Sequence, residues 1–271
     1  MLCCPVCHLA LSQEKTRAVC PAGHSFDRAR EGYLNLLLNS SSHGHGDDRA
    51  MLLARRAFLE KGHYQPLISC LCREVEERIP VCGSLLDAGC GEGYYTDGIF
   101  SYLKEKGKEI RMFGFDISKE ALRLTAKKCA GKGSFFVAST FHIPVLNASA
   151  DMILSLFAPY SEEEFLRVLK PGGVLIRAVP LEDHLFSFKQ VLYENPTKNT
   201  SRAVIGEGFE VLSETRIRRP FFLSSSEEIM ALFGMTPYAH KTSVRDREKL
   251  ESLSSLATEM DLGVIVYRKK D

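Results

Sequence analysis

Apolar residues recur with two different periods along the chain, and the change of period divides it near residue 84. Residues 49–80 read “RAMLLARRAFLEKGHY” and “QPLISCLCREVEERIP”, with apolar positions three and four residues apart, which predicts two amphipathic helices. From Ser84 onward, short apolar runs alternate with helical stretches; the runs are “SLLDAG”, “IRMFGFDI”, “SFFVAS”, “DMILSLF” and “GGVLIRAV”. Repeated strand–helix units predict a parallel sheet covered by helices on both faces.

Two further apolar runs, “FEVLSETRIRRPFFL” and “MDLGVIVYRKK”, lie near the end of the chain. They bring the predicted sheet to seven strands, mostly parallel, in an α/β fold over residues 84–271. Before it, the Ser-, Gly- and His-rich stretch “NSSSHGHGDD” marks a linker, in which His43 and His45 are read as solvated residues rather than ligands. The predicted division is a cysteine-rich module at 1–38, a linker with helices at 39–83, and the sheet domain.

Composition limits the class of protein and the cellular compartment that the sequence predicts. The 271 residues are 45% hydrophobic and 25% charged, with a formal net charge of +1, so bulk charge gives no support for nucleic-acid binding. No apolar run approaches the ~20 residues that cross a bilayer, and the N-terminus lacks a signal-peptide pattern. We therefore expect a cytoplasmic protein without membrane contact, in which clustered cysteines bind metal rather than form disulfides.

Four metal-binding side chains are clustered near the N-terminus. Cys4 and Cys7 form a C-x2-C pair, and Cys20 and His24 follow with three residues between them. Three thiolates and an imidazole suit tetrahedral zinc, and four protein ligands leave no open position for catalysis. The sequence therefore predicts a structural Zn²⁺ site, with Cys3 and His8 as adjacent alternatives.

The stretch “LLDAGCGEGYYT” places three glycines between the first strand of the sheet and a helix. Gly89, Gly91 and Gly93 would let the backbone approach a ligand at the carboxyl end of the strand. The spacing departs from the dinucleotide fingerprint, since the third glycine comes one residue early. Asp87 would repel a pyrophosphate but could help to hold an ammonium group. This pattern resembles the first motif of Rossmann-like methyltransferases that use S-adenosylmethionine (SAM).

Later strand ends add candidates for the same site. Asp116 ends the second strand, where an acid can accept the ribose hydroxyls. Ser139 and Thr140 follow the third strand and either bond near the adenine or only supply turn polarity. “SLFAP” follows the fourth strand, where this fold usually places residues near the transferred methyl.

The motifs “CPVCHLALSQEKTRAVCPAGHSFDRAREGYLNLL”, “RRAFLEKGHYQPL”, “LDAGCGEGYYT”, “FDISK” and “MTPYAH” together resemble the bacterial 23S ribosomal RNA guanine-N1-methyltransferases over nearly the whole chain. The resemblance implies a homodimer that uses SAM and a zinc module to methylate N1 of a guanine in a domain II hairpin of 23S rRNA. Two branches of the family modify neighbouring guanines, one linked to macrolide resistance. The resemblance also implies SAM contacts from Tyr64, Gly91, Glu92 and His184.

Other roles stay open at this level. Asp183 is a weak candidate for a general base, with Glu182 beside it, and either acid could instead lie at the surface. Phe26, Tyr33 and Phe157 could stack on bases, although a place in the core is the commoner explanation for each. Basic residues in 104–132 and at Arg216, Arg218 and Arg219 could meet phosphates or simply be solvated. The alternative functions are a small-molecule SAM-dependent methyltransferase and a non-catalytic SAM- or RNA-binding module.

Overall fold

The protein is described by a computed structural model, which covers residues 1–38, 46–200 and 206–270. His43 and His45 of the predicted linker lie outside these ranges. Within them, no helix combines the length and the apolar character that crossing a bilayer would require.

Two sheets organise the described chain. The N-terminal sheet is antiparallel and has the order β1 (Ser12–Gln13), β2 (Arg17–Val19) and β3 (Ser25–Asp27). The large sheet is built from β4 (Leu34–Asn35), β5 (Ser84–Ala88), β6 (Arg111–Asp116), β7 (Ser134–Val137), β8 (Ala150–Leu156), β9 (Leu169–Pro180), β10 (Phe209–Leu223) and β11 (Leu256–Lys269).

The large sheet has the strand order β10-β11-β9-β8-β5-β6-β7-β4. Pairing is parallel from β4 through to β9, and β11 joins β9 and β10 antiparallel. The helices are α1 (Arg49–Leu59), α2 (Gln65–Arg78), α3 (Tyr94–Glu105), α4 (Lys119–Lys128), α5 (Glu162–Val168), α6 (Phe186–Leu192), α7 (Ser226–Gly234) and α8 (Val244–Glu251). The predicted α/β class and the mostly parallel sheet are confirmed.

The sheet has eight strands rather than the predicted seven, and the additional strand is β4. It pairs parallel with β7, so that Leu34 lies opposite Phe136 and both are buried. A strand of two residues is too short to show a period in the sequence. Its pairing partner lies about a hundred residues away along the chain and is visible only in the fold.

Helices cover both faces of the large sheet, and the N-terminal segment lies on the same face as α5. Leu85 and Leu86, adjacent in β5, belong to different apolar clusters because successive strand side chains point to opposite faces. One cluster packs under α2, α3, α6, α7 and α8, and the other lies under α5. Leu2 and Ala18 of the N-terminal segment join the second cluster, so this segment rests on the sheet.

Backbone hydrogen bonds also connect the N-terminal segment to the loop after β7. The Cys3 N–H donates to the carbonyl of Pro144 at 3.0 Å, and the Leu146 N–H donates to the carbonyl of Met1 at 2.9 Å. The division of the chain at residues 38 and 83 remains a prediction. In the fold, the pairing of β4 with β7 and these two hydrogen bonds connect residues on either side of the boundary at 38.

Candidate cofactor site and metal centre

A cavity of about 1050 Å³ opens at the carboxyl ends of β5, β6, β7, β8 and β9. This is the edge at which parallel α/β sheets bind ligands. The cavity is lined by all nine residues that the sequence predicts to bind cofactor: Tyr64, Asp87, Gly89, Gly91, Glu92, Asp116, Ser139, Thr140 and His184. Asp183 does not line it.

The glycine-rich turn is shaped by positive backbone φ angles and close packing. Gly89 has a φ of +81°, and a Cβ there would come within 2.6 Å of the Ala158 Cβ. Gly91 has a φ of +55°, a region that side chains rarely adopt. Position 89 therefore needs glycine for both space and backbone conformation, and position 91 needs it for backbone conformation alone.

Asp116 is fixed by the turn that it faces. Its Oδ2 accepts a hydrogen bond from the Gly91 N–H at 2.9 Å, and its Oδ1 accepts one from the Ser118 N–H at 2.8 Å. Burial raises the pKa of this carboxyl, and the two backbone donors counteract that rise. Each oxygen keeps a second lone pair, so the group can still accept hydroxyl donors from a ligand.

Asp87 has one unpaired oxygen deep in the fold. The Thr96 hydroxyl donates to its Oδ2 at 2.5 Å, whereas Oδ1 is buried with no hydrogen-bond partner among the described residues. Burial raises the pKa of Asp87 to about 7. A buried, unpaired carboxylate oxygen beside a cavity is costly alone and is relieved by a cationic donor.

Glu92 lies in a similar environment on the same turn. It is 2% exposed, and its Oε2 has no hydrogen-bond partner, with the Lys128 ammonium 3.7 Å away. Burial raises its pKa, and Lys128 opposes the shift. The turn therefore carries a second carboxylate whose hydrogen-bonding capacity is unused.

Tyr64 and His184 meet across 120 residues of sequence, with the tyrosine hydroxyl 3.3 Å from His184 Nε2. The Asp261 backbone N–H points at Nδ1 at 3.3 Å, and since it can only donate, Nδ1 is the acceptor. Burial lowers the pKa of His184 to about 4, so the ring is neutral with its proton on Nε2. His184 therefore donates to the Tyr64 oxygen and leaves the tyrosine hydrogen free for another acceptor.

Ser139 and Thr140 are buried at the end of β7. The Ser139 oxygen accepts a hydrogen bond from the Phe141 N–H at 3.2 Å, which is a local turn bond. Both residues also line the cavity. Turn geometry therefore explains Ser139 in part, and contact with a ligand stays a prediction for both.

The predicted metal ligands come together in the N-terminal sheet. The ligand atoms of Cys4, Cys7, Cys20 and His24 all lie within 4.8 Å of one another. The Cys7 and Cys20 sulfurs are 3.6 Å apart, and the Cys20 sulfur lies 3.3 Å from His24 Nδ1. The alternatives Cys3 and His8 lie outside this group. A closed set of three thiols and one imidazole fits structural zinc.

Comparison with known proteins agrees with both sites. Residues 2–39 match a zinc-ribbon family model described as “RlmA, N-terminal”, and residues 85–173 match a methyltransferase domain model. A provisionally named 23S rRNA (guanine-N(1)-)-methyltransferase from Micromonospora griseorubida is 32% identical, covering 94% of this chain and 92% of the relative. The chain belongs to this methyltransferase family.

Two further proteins extend the comparison. The 23S rRNA (guanine(748)-N(1))-methyltransferase of Streptomyces fradiae is 31% identical, covering 79% of this chain and 77% of the relative. A crystal structure from Bacillus halodurans C-125, provisionally titled a methyltransferase, is 12% identical with a TM-score of 0.51, covering 74% of this chain and 98% of that one. The second likeness shows the fold alone.

As a member of this family, the protein is a SAM-dependent methyltransferase with a zinc ribbon matched at residues 2–39, and the cavity fits its cofactor. Asp87 has an unpaired acceptor that would suit an ammonium group, and Asp116 has a fixed carboxylate that would suit ribose hydroxyls. The Tyr64 hydroxyl presents a donor. Zinc fits the group of three cysteines and one histidine, which the family model also covers.

Asp183, the weak base candidate, lies outside the cavity lining and is paired elsewhere. Its carboxylate oxygens lie 2.7 Å from the Lys198 ammonium and 3.0 Å from the Arg218 guanidinium. The hydrogen bond from Lys198 holds the pKa of Asp183 below its usual range. A carboxylate that is stabilised as an anion is a weak proton acceptor, so this geometry does not favour the base role.

Residues without a sequence signal also contribute to the cavity region. Arg177 lines its wall from near the carboxyl end of β9, and Asp261 supplies the N–H that fixes the His184 tautomer. Of the three candidate aromatics, Tyr33 is buried and Phe26 half-buried, whereas Phe157 is exposed and lines the cavity. Neither Arg177 nor Asp261 falls in a local motif, and the pairing of β9 with β8 and with β11 brings them near the site.

Proposed function

We propose that this protein transfers a methyl group from SAM to N1 of a guanine in 23S rRNA. The observation that carries the proposal is the near-full-length similarity to relatives named for this reaction, coupled with a complete cofactor cavity and zinc centre. We further propose a domain II hairpin as the substrate and a homodimer as the working form, both on the family resemblance.

The residues of the chain would prepare this reaction chiefly by positioning. SAM supplies an electrophilic methyl group. The backbone at Gly89 and Gly91 allows close approach, Asp116 holds the ribose end, and Asp87 and Tyr64 take the charged amino-acid end. Fixing two reactants in line can supply effective molarities of ~10⁵ M or more.

The zinc ribbon, in this proposal, presents a surface that positions the RNA hairpin. None of the cavity lining in the described residues comes from positions 1–38, so the ribbon has no direct part in cofactor binding. Lys15 and Arg30 are exposed on it. Reversing both charges should lower hairpin affinity and leave SAM affinity unchanged, since phosphate contacts are lost without change to the cavity.

The decisive experiment uses purified protein, labelled SAM and 23S rRNA from a strain that lacks this modification. Mass-spectrometric mapping of the digested RNA should show one new 1-methylguanosine, in the domain II hairpin. An Asp116→Ala variant, which removes the fixed carboxylate, is the matched inactive control. Label at a guanine elsewhere in 23S rRNA would correct the hairpin and keep the reaction.

Absence of label in RNA, with SAM binding and full zinc occupancy demonstrated, would overturn the proposal. Methyl transfer to a metabolite would then favour the small-molecule alternative. Tight SAM binding without turnover on any substrate would favour a non-catalytic module. Sedimentation of the protein, alone and with hairpin RNA, would test the homodimer.

A further inference from the structure

Arg177 is a buried cation on the cavity wall without a carboxylate partner. Its side chain is 7% exposed, it lines the cavity, and its Nε has no hydrogen-bond partner. Among the residues that the structure describes, it forms no ion pair with an acid. Burying a guanidinium without an anion is costly, and such a cost is commonly retained where a ligand supplies the missing partner.

The surroundings of Arg177 are aromatic and neutral. The Tyr160 ring centre lies 4.6 Å from its guanidinium carbon, and the Tyr267 phenol on β11 forms a side-chain hydrogen bond with the guanidinium. Burial raises the pKa of both phenols, so both stay neutral near pH 7. Ser155, its register partner on β8, is buried with an unpaired hydroxyl. The guanidinium is thus held in place without being neutralised.

A second feature next to Arg177 marks where a base would lie. Phe157 is 44% exposed at the cavity, and its φ of +55° is rare for a bulky residue. Its N–H donates to the carbonyl of Ala178 at 3.0 Å, which fixes it beside the residue that follows Arg177. Strained backbone of this kind is concentrated at functional sites. An exposed ring and a guanidinium without an acid partner among the described residues therefore line the same cavity, at neighbouring ends of β8 and β9.

We propose that Arg177 is a catalytic residue that binds O6 of the target guanine, with Phe157 stacked on the base, an inference that rests on the proposed function. Guanidinium N–H groups match the O6 and N7 acceptors of guanine, and exposed aromatic rings stack on extruded bases. Adenine carries an amino donor in place of O6, so the same contact selects guanine.

The contact also explains how N1 becomes nucleophilic without a carboxylate base. The N1–H bond breaks and its proton passes to water, and the electron pair left on the ring is shared between N1 and O6. Arg177 remains protonated and stabilises the charge on O6. The N1 pair then forms the bond to the methyl carbon as the sulfur–methyl bond breaks, which yields 1-methylguanine, S-adenosylhomocysteine and one released proton.

The test compares wild type, R177Q, R177K and the control R245Q, which changes an exposed arginine of α8. Single-turnover rates are measured across pH on the RNA mapped above, with SAM affinity and melting temperature for each variant. Removing a charge-stabilising donor typically costs ~10²–10³-fold in rate. We expect that loss for R177Q near neutral pH, shrinking as pH rises because the guanine then ionises unaided, with R177K intermediate and R245Q unchanged.

A binding measurement adds a readout that does not depend on turnover. Wild type should prefer a hairpin with guanine at the target position over one with 2-aminopurine, which lacks O6, by ~10–100-fold. R177Q should bind both hairpins equally. R177K should recover part of the preference.

The outcomes separate the two proposals. If wild type methylates guanine N1 and R177Q shows the same rate, or a deficit equal at all pH values, the role of Arg177 is overturned and the function stands. Loss of SAM binding or of folding in both R177Q and R177K would make the residue structural and also overturn it. If wild type methylates no RNA, the proposed function fails and this inference fails with it.

Discussion

The zinc ribbon and the large sheet achieve order by different means. The ribbon has three strands of two or three residues each and four metal ligands within 4.8 Å of one another. The large sheet has eight strands, between apolar clusters that contain fully buried phenylalanines such as Phe136 and Phe188. Small folds that cannot bury enough apolar surface depend on a metal, whereas the sheet depends on its core.

The difference has a functional side. In the ribbon, the four ligand side chains lie together, and one zinc ion would be coordinated by all of them. In the cavity, Asp87, Glu92 and Arg177 keep buried atoms without partners. The comparison teaches that these three cavity groups have capacity left for a ligand that comes and goes, whereas the ribbon ligands form a closed set for one permanent ion.

The largest effect should follow loss of a zinc ligand. Cys20→Ser should release zinc and unfold the ribbon, since metal binding supplies ~10 kcal/mol or more to such modules. The melting temperature should also fall, because Leu2 and Ala18 cover part of the large sheet. SAM affinity should stay within about threefold, as the ribbon adds nothing to the described cavity lining. Zinc content, thermal melting and calorimetric SAM titration provide the three measurements.

Cys82→Ser is the matched control for that variant, because Cys82 is exposed and lies outside the ligand group. It should leave zinc content and melting temperature unchanged. A C20S protein that kept one zinc ion and its full stability would contradict the conclusion that the ribbon depends on its metal and the sheet on its core.

The next effect should come from Asp87, whose pKa of about 7 lies above the ordinary value of 3.8. The folded protein holds this proton up to about pH 7, whereas the unfolded chain releases it near pH 3.8. The stabilisation is therefore complete below pH 3.8 and lost as pH rises through about 7. Without SAM, Asp87→Asn should gain up to about 4 kcal/mol relative to wild type between pH 4 and pH 8, by denaturant unfolding.

SAM affinity should fall in the same variant, because the amide cannot pair with an ammonium as a carboxylate does. Asp97→Asn is the control, since Asp97 is partly exposed and paired with Lys132. It should shift the free energy of unfolding by less than about 1 kcal/mol at any pH. If D87N and wild type showed the same pH dependence of the free energy of unfolding, the pKa of Asp87 would not be raised in the protein without SAM.

The smallest effect should come from Tyr64→Phe. This change removes one hydroxyl, which accepts from His184, so the free energy of unfolding should fall by about 1 kcal/mol. SAM should bind about tenfold more weakly if that hydroxyl donates to a charged acceptor on the cofactor. Tyr102→Phe removes a hydroxyl that bonds Glu76 instead, and it should leave SAM affinity intact. Equal affinity in both variants would argue against a cofactor contact from Tyr64.

Local chemistry made much of the site predictable. The turn motif places Asp87, Gly89 and Gly91 within five residues, because a tight turn is built from residues close together in sequence. The C-x2-C spacing of Cys4 and Cys7 likewise suits two ligands of one ion. Tyr64 and His184 were reached only through resemblance to a family, since a lone tyrosine and a lone histidine carry no spacing signal. The base role of Asp183 stays a prediction, because an acid near a strand end has the right sequence position, but in the structure it forms ion pairs with Lys198 and Arg218.

The sequence by itself determined the alternating strands and helices, the glycine turn and the metal ligands, because each depends on residues a few positions apart. Only the tertiary structure decided that β4 joins the sheet, that the Asp261 N–H fixes the His184 tautomer, and that Arg177, with its Nε unpaired, lines the same cavity as Phe157. These depend on strand order and on which side chains share a buried face. Burial also sets the pKa values of Asp87 and His184, and burial is a property of the packed chain.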